Sequence, residues 1–180
     1  MGFAVELSFD AEADTAVRRL WERLEEHGIS DVMPSLGACP HISLAVFDSV
    51  DTRALRDELK RFAAVEACID TRFSAVGTFP TDECVVYLAP VVTRELLEMH
   101  ARLHALLDAL GMDSVEHYRP GNWIPHCTAA LDLLHGSVPR AIESCFHGHF
   151  FIPVRLQAVQ LIEFRPVTTL CSYSLKDADA

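Results

Sequence analysis

Apolar and polar positions alternate along this chain with two different periods, and the switches between them mark out its elements. Residues 3 to 10 alternate as a strand, after which Val17, Leu20, Trp21 and Leu24 recur at helical spacing and Gly28 ends the helix. A loop with Pro34, Gly37 and Pro40 leads into a β-rich run, His41 to Phe47. The next helix carries Leu55, Leu59, Phe62 and Ala63 on one face, with Asp51 or Thr52 as its cap. Runs over 69–78 and 84–91 flank a turn at Pro80-Thr81-Asp82 and predict a hairpin. A helix over roughly 93–110, with Leu96, Met99, Leu103, Leu106 and Leu110, is closed by Gly111. A polar loop with Pro120 and Gly121 precedes a strand from His126 to Leu133; a helix near 138–147, strand structure near 150–164 and a strand near 169–175 follow. This order is neither all-α nor a regular βαβ alternation, and it predicts an α+β domain with a mostly antiparallel sheet.

Composition narrows the setting. Half of the 180 residues are hydrophobic, enough for one globular domain with room for two lobes. A net charge of -11 argues against holding a long nucleic acid by counterion release, yet it is compatible with a small or terminal phosphate. The N-terminal segment has no basic region, and Glu6 and Asp10 interrupt its apolar run, so it does not read as a signal peptide. Gly2 is not followed by the Ser or Thr of a myristoylation site, and no run approaches the ~18 apolar residues of a membrane span. A soluble, cytoplasmic monomer is expected. The 6 cysteines form no Cys-x-x-Cys pair and read as free core thiols.

One short pattern occurs twice, as Pro40-His41-Ile42-Ser43-Leu44 and Pro125-His126-Cys127-Thr128-Ala129, 85 residues apart. Strand alternation places His41 and Ser43 on one face, with Ile42, Leu44 and Val46 on the other. In the second copy His126 and Thr128 share a face, opposite Cys127, Ala129 and Leu131; Ala45 and Ala130 continue the polar faces and leave room for a ligand. Two imidazoles titrating near ~6.5 supply a general base and a general acid at neutral pH. The hydroxyls of Ser43 and Thr128 suit the non-bridging oxygens of a phosphate, where charge gathers in the transition state. One such strand alone would read as structure; two matched copies point to metal-free phosphoester cleavage. Tyr118 and Arg119, in the loop before the second copy, are candidate substrate-binding residues, and Trp123 reads as core.

The motifs His41-Ile42-Ser43-Leu44 and Trp123-Ile124-Pro125-His126-Cys127-Thr128 resemble those of the two-histidine (2H) phosphoesterases, which include the 2′-5′ RNA ligase-like proteins and the 2′,3′-cyclic nucleotide phosphodiesterases. The resemblance implies a bilobal α+β fold over residues 1–180, with two pseudo-symmetric lobes around a central cleft and no cofactor. It also implies a phosphodiesterase acting on a small nucleotide or RNA-terminal cyclic phosphate, with His126 as base and His41 as acid, roles that substrate orientation could exchange. Ser43 stands where many members carry Thr, and Leu131 where some RNA ligase-like members carry a basic residue, which speaks against an extensive RNA surface. Hydrolysis and 2′-5′ ligation use the same groups and both stay open.

Two other readings compete. His100 and His104, four residues apart on one helix, and the pair His147 and His149 invite a metal site, but Ala101 stands where an HExxH motif needs Glu. A non-catalytic nucleotide- or phosphate-binding module needs the hydroxyls and one cationic histidine, and turnover separates it from an enzyme.

Overall fold

The computed structural model describes residues 2–79, 81–146 and 151–177. In chain order the elements are β1 (Gly2–Phe9), α1 (Ala11–Glu26), α2 (Val32–Ser35), β2 (His41–Phe47), α3 (Thr52–Ala63), β3 (Ile69–Thr78), β4 (Val86–Pro90), α4 (Arg94–Ala109), β5 (Cys127–Ala130), α5 (Val138–Cys145), β6 (Ile152–Phe164) and β7 (Thr168–Ser174). Local chemistry sets the helix ends. The Asp10 carboxylate accepts the Ala13 amide at the start of α1, Asp51 accepts the amides of Arg53 and Ala54 at α3, and the Thr93 hydroxyl accepts that of Leu96 at α4. Gly28 and Gly111, at φ +61° and +66°, take the left-handed conformation that ends α1 and α4.

All the strands join one sheet in the order β2-β1-β6-β3-β4-β5, with β7 also paired to β6 and every pairing antiparallel. The 13-residue β6 serves two neighbourhoods. Its stretch from Leu156 to Phe164 pairs with β1, and much of that stretch also with β7, whereas Ile152 to Leu156 pairs with β3. The architecture is therefore α+β with two lobes, β2-β1-β6-β7 and β6-β3-β4-β5. The strands at the two ends of the sheet path, β2 and β5, pack against each other, so the two halves of the sheet meet where the His-x-Ser/Thr motifs lie. The backing helices are exchanged between halves: α1 packs against β5, and α4 against β2. One core runs through both lobes, including Leu7, Trp21, Leu44, Phe47, Leu103 and Val159.

Three expectations need correction. The loop around Pro34 contains the four-residue helix α2, which inserts Met33 into the core. On α4 the buried face runs through Leu96, Met99, His100, Leu103, His104 and Leu107, while Leu106 is half-buried and Leu110 exposed. Two histidines hidden in the apolar stripe displaced its reading by one position. Of the cysteines, all free in the described residues, Cys84 and Cys127 are buried, Cys39 is exposed and the other three are half-buried. The turn residue Pro80, the start of the strand structure expected from 150, and the pair His147 and His149 lie outside the described residues.

Candidate active site

His41 begins β2, and His126 immediately precedes β5, each after a buried proline. Both rings are held in the same way. Nδ1 of His41 donates to the Cys39 carbonyl at 2.6 Å, and Nδ1 of His126 donates to the Ile124 carbonyl at 2.7 Å, two residues back in each case. A carbonyl only accepts, so each Nδ1 carries the hydrogen and each Nε2 takes no part in that bond. Both imidazoles are half-buried, and charge on His41 is close enough to depress the pKa of His126. Burial is the larger cause of that depression, opposed by the bond to Ile124. His126 is thereby favoured in its neutral form.

The surroundings of the two rings differ. Phe79 meets His126 edge-on at 4.9 Å, and Tyr87, itself stacked on Phe79, lies 5.3 Å away. Gly77 makes this possible, because a Cβ there would fall inside contact distance of the Tyr87 ring. His41 instead meets a carboxylate: its Nε2 is 3.2 Å from Oε1 of Glu6, on the neighbouring strand β1. Burial pushes the Glu6 pKa up, against the opposing pull of His41 and of a hydrogen bond from Gln160.

The strands are irregular at the same point after each motif. Along β1 the register jumps from Ala45 to Ser43, and along β4 from Ala130 to Thr128, so Leu44 and Ala129 sit in β-bulges. The extra residue reverses the alternation. Val46 and Leu131, expected on the apolar faces, are half-buried, while Ala45 and Ala130, expected to leave room beside the ligand, are fully buried. The bulges end the polar face immediately after Ser43 and Thr128, both half-buried.

The only two tryptophans of the chain tie the motifs together. Trp21 Nε1, from α1, donates to the Thr128 carbonyl at 3.1 Å, and Trp123 Nε1, from the loop before β5, donates to the Ser43 carbonyl at 2.9 Å. Trp123 also stacks on His100 at 3.9 Å and 4° between planes. His100 and His104 in turn point Nε2 at the carbonyls of Tyr118, 2.9 Å, and Leu44, 3.0 Å. Burial, and then His104, pushes the His100 pKa down to about 4. The pair suspected of binding metal is thus engaged in holding β2 and the loop before β5.

A cavity of about 450 Å³ opens beside His126 and Thr128, lined also by Phe79, Tyr118, Trp123 and Arg165. Tyr118 is near Glu6 and has its pKa raised by burial first and by that carboxylate second. Arg119 does not line this cavity; its guanidinium bonds Asp108 at 2.8 Å and lies 3.8 Å from Asp113. Glu6, Gln160 and Arg165 escaped the sequence reading as site residues, and Trp123, read as core, packs against the core and also lines this cavity. A single acidic residue inside the apolar run of β1 was the available signal for Glu6.

A bilobal α+β fold with one His-x-Ser/Thr strand from each half defines the class, the two-histidine phosphoesterases. Residues 10–167 match the model of the 2′-5′ RNA ligase superfamily, and the chain belongs to that family. No curated protein matches it at a significant level. Among solved structures, TT0787 of Thermus thermophilus is 19% identical, with 99% of this chain and 100% of that chain covered and a TM-score of 0.65. LigT of E. coli complexed with 3′-AMP is 15% identical, with 97% of each chain covered and a TM-score of 0.62. These likenesses establish the fold.

Proposed function

We propose that the protein is a metal-independent phosphodiesterase that opens a 2′,3′-cyclic phosphate, or a related phosphodiester of a small nucleotide or RNA end, by acid-base catalysis between His41 and His126. The observation that carries this is the matched pair of rings, each with Nδ1 committed to a backbone carbonyl, while His126 Nε2 has no ion-pair partner among the described residues and His41 Nε2 faces the Glu6 carboxylate. In the reaction water attacks phosphorus in line with the leaving ribose oxygen. His126 Nε2 takes the water proton, His41 Nε2 gives one to the leaving oxygen, and Ser43 and Thr128 donate to the non-bridging oxygens as their charge grows. The cavity beside His126 is of the size that holds a small ligand, and its aromatic walls suit a base. LigT has been crystallised with 3′-AMP, ATP, NADP+ and phosphate, which supports a nucleotide as the ligand class here.

The test is a panel of 2′,3′-cyclic mononucleotides and a long RNA ending in the same cyclic phosphate, assayed over a salt series with products identified by mass and regiochemistry. With a net charge of -11, binding energy comes from the phosphate in the cleft, so the mononucleotide is turned over at least as well as the RNA and the salt slope is shallow. Strong preference for the long RNA with a steep slope would overturn the small-substrate reading. Formation of 2′-5′ linkages without hydrolysis would favour ligation, and binding without turnover a binding module.

A further inference from the structure

The two histidines match in the bond made by Nδ1 and differ in what meets Nε2. Among the described residues, histidine makes one ion pair, between His41 Nε2 and Glu6 Oε1 at 3.2 Å. The Glu6 side chain is 4% exposed, and its other oxygen accepts from Gln160 Nε2 at 3.1 Å. The ionisable groups facing it are His41 from β2, Tyr118 from the loop before β5, and Cys127 from β5. Burial raises the pKa of Tyr118 and takes the Cys127 thiol up to about 12, so both are uncharged at neutral pH.

Distance and charge together then place a proton on this pair. His41 Nδ1 carries a hydrogen, because the Cys39 carbonyl can only accept. Were Nε2 also bare and Glu6 ionised, a lone pair would face a carboxylate oxygen in a buried setting, a repulsive contact with an unsatisfied charge. The Gln160 amide hydrogen serves the other oxygen and cannot fill this gap. One proton therefore belongs to this pair, whose atoms stand 3.2 Å apart as an ion pair without the in-line geometry of a hydrogen bond. His126 Nε2, walled by Phe79 and Tyr87, has no such partner among the described residues.

We propose that Glu6 assigns the roles of the two histidines, by holding one proton in common with His41 Nε2, so that His41 is the acid and His126 the base. Glu6 is a positioning residue, because it acts through His41 and not on the substrate. The inference rests on the phosphodiesterase reading above. As the water oxygen–phosphorus bond forms, the water proton passes to His126 Nε2. As the phosphorus–ribose oxygen bond breaks, the shared proton passes through His41 Nε2 to the ribose oxygen. Glu6 is then left facing a bare Nε2, which draws a proton back from solvent while His126 releases its own, and the site is reset with no net change.

The experiment compares wild type with Glu6→Gln, which keeps the shape but places an amide where the shared proton was. In wild type, 15N NMR of histidine-labelled protein shows a protonated Nε2 at His41 at pH 7 and a bare Nε2 at His126; in Glu6→Gln the His41 signal moves to that of a bare nitrogen. The rate on a 2′,3′-cyclic mononucleotide keeps its acid limb, whereas its alkaline limb moves to lower pH by about one unit or more, as expected on losing an opposite charge within ~4–6 Å. The loss falls on kcat and leaves KM little changed. With bis(4-nitrophenyl) phosphate, whose leaving group needs no acid, the fall is at least ~10-fold smaller than with the cyclic nucleotide. Gln160→Leu, which leaves the carboxylate but removes its anchor, shifts the alkaline limb the same way by less and serves if Glu6→Gln fails to fold. An unmoved alkaline limb, movement of the acid limb instead, or equal losses on both substrates would overturn the assignment. If wild type turns over no phosphodiester, the proposed function fails, and the NMR signals still decide whether Glu6 and His41 share the proton.

Discussion

His100 gives the fold a measurable sensitivity to acid. Its ring is 2% exposed, sandwiched between Trp123 and His104, with Nε2 spent on the Tyr118 carbonyl. The unfolded chain accepts a proton on this ring as pH falls below about 6.5, whereas the folded protein resists until about 4. Because the folded-state value is depressed, the unfolded state binds more protons between these limits, and stability is lost as pH falls through that window. At about 1.4 kcal/mol per pH unit, the displacement from 6.5 to about 4 corresponds to roughly 3 kcal/mol once complete. By pH 5 the loss is about 2 kcal/mol, and at pH 7 it is negligible. His100→Phe retains an aromatic face over Trp123 but has nothing to titrate. It is less stable than wild type at pH 7 by about 1–2 kcal/mol, through the lost bond to Tyr118. In urea unfolding at pH 7, 6 and 5 the gap between the two proteins should close by about 2 kcal/mol. Glu6, whose raised pKa acts with the opposite sign, is common to both and cancels. Stability curves that stay parallel from pH 7 to pH 5 would refute the reasoning.

His41→Ala and His126→Ala should each lose at least ~10²-fold in rate, read from steady-state turnover of a cyclic mononucleotide. The acid limb of the wild-type profile should lie below the ~6.5 of a free imidazole, because burial lowers the pKa of His126 and the base works once deprotonated. Ser43→Ala and Thr128→Ala should each cost roughly 10–10³-fold in kcat, and Thr128→Ser less, if the hydroxyls stabilise the phosphoryl charge. Trp123→Phe keeps the stack on His100 but deletes the bond to the Ser43 carbonyl, so it should lower thermal stability by about 1 kcal/mol and reduce turnover by misplacing β2; a variant equal to wild type in both would show that the bond is idle. Turnover should survive EDTA, since imidazoles and hydroxyls supply the acid, base and anion contacts, and loss restored by zinc would favour the metal reading.

Most elements were legible because their signals are local. The run His41 to Phe47, the caps Asp51 and Gly111, and the apolar faces of α1 and α3 announce themselves within one or two turns of chain. What could not be read depends on partners distant in sequence. Strand alternation placed Ala45, Val46, Ala130 and Leu131 on the wrong faces, because a bulge is a property of the pairing with β1 or β4 and leaves no mark in β2 or β5 alone. The roles of His100 and His104, raised only as a rival metal site that Ala101 argued against, could not be read because their acceptors, Tyr118 and Leu44, are 18 and 60 residues away. Glu6 was invisible as a site residue because its nearest partners, His41 and Gln160, come from two other strands.

The same long-range contacts explain why two short motifs can act as one site. Each motif strand is backed by a helix from the other half of the chain, α1 behind β5 and α4 behind β2. Each also has the carbonyl of its hydroxyl-bearing residue held by a tryptophan from the opposite half, Trp21 for Thr128 and Trp123 for Ser43. Separating the lobes therefore breaks core packing and two partly buried hydrogen bonds together, which keeps the distance between the imidazoles tied to the stability of the fold. Such a frame is nearly symmetric, and symmetric placement alone gives two equivalent histidines. The inequality that the proposed acid-base catalysis needs comes from outside the repeated pattern: aromatic rings and a lowered pKa at His126, a buried carboxylate at His41.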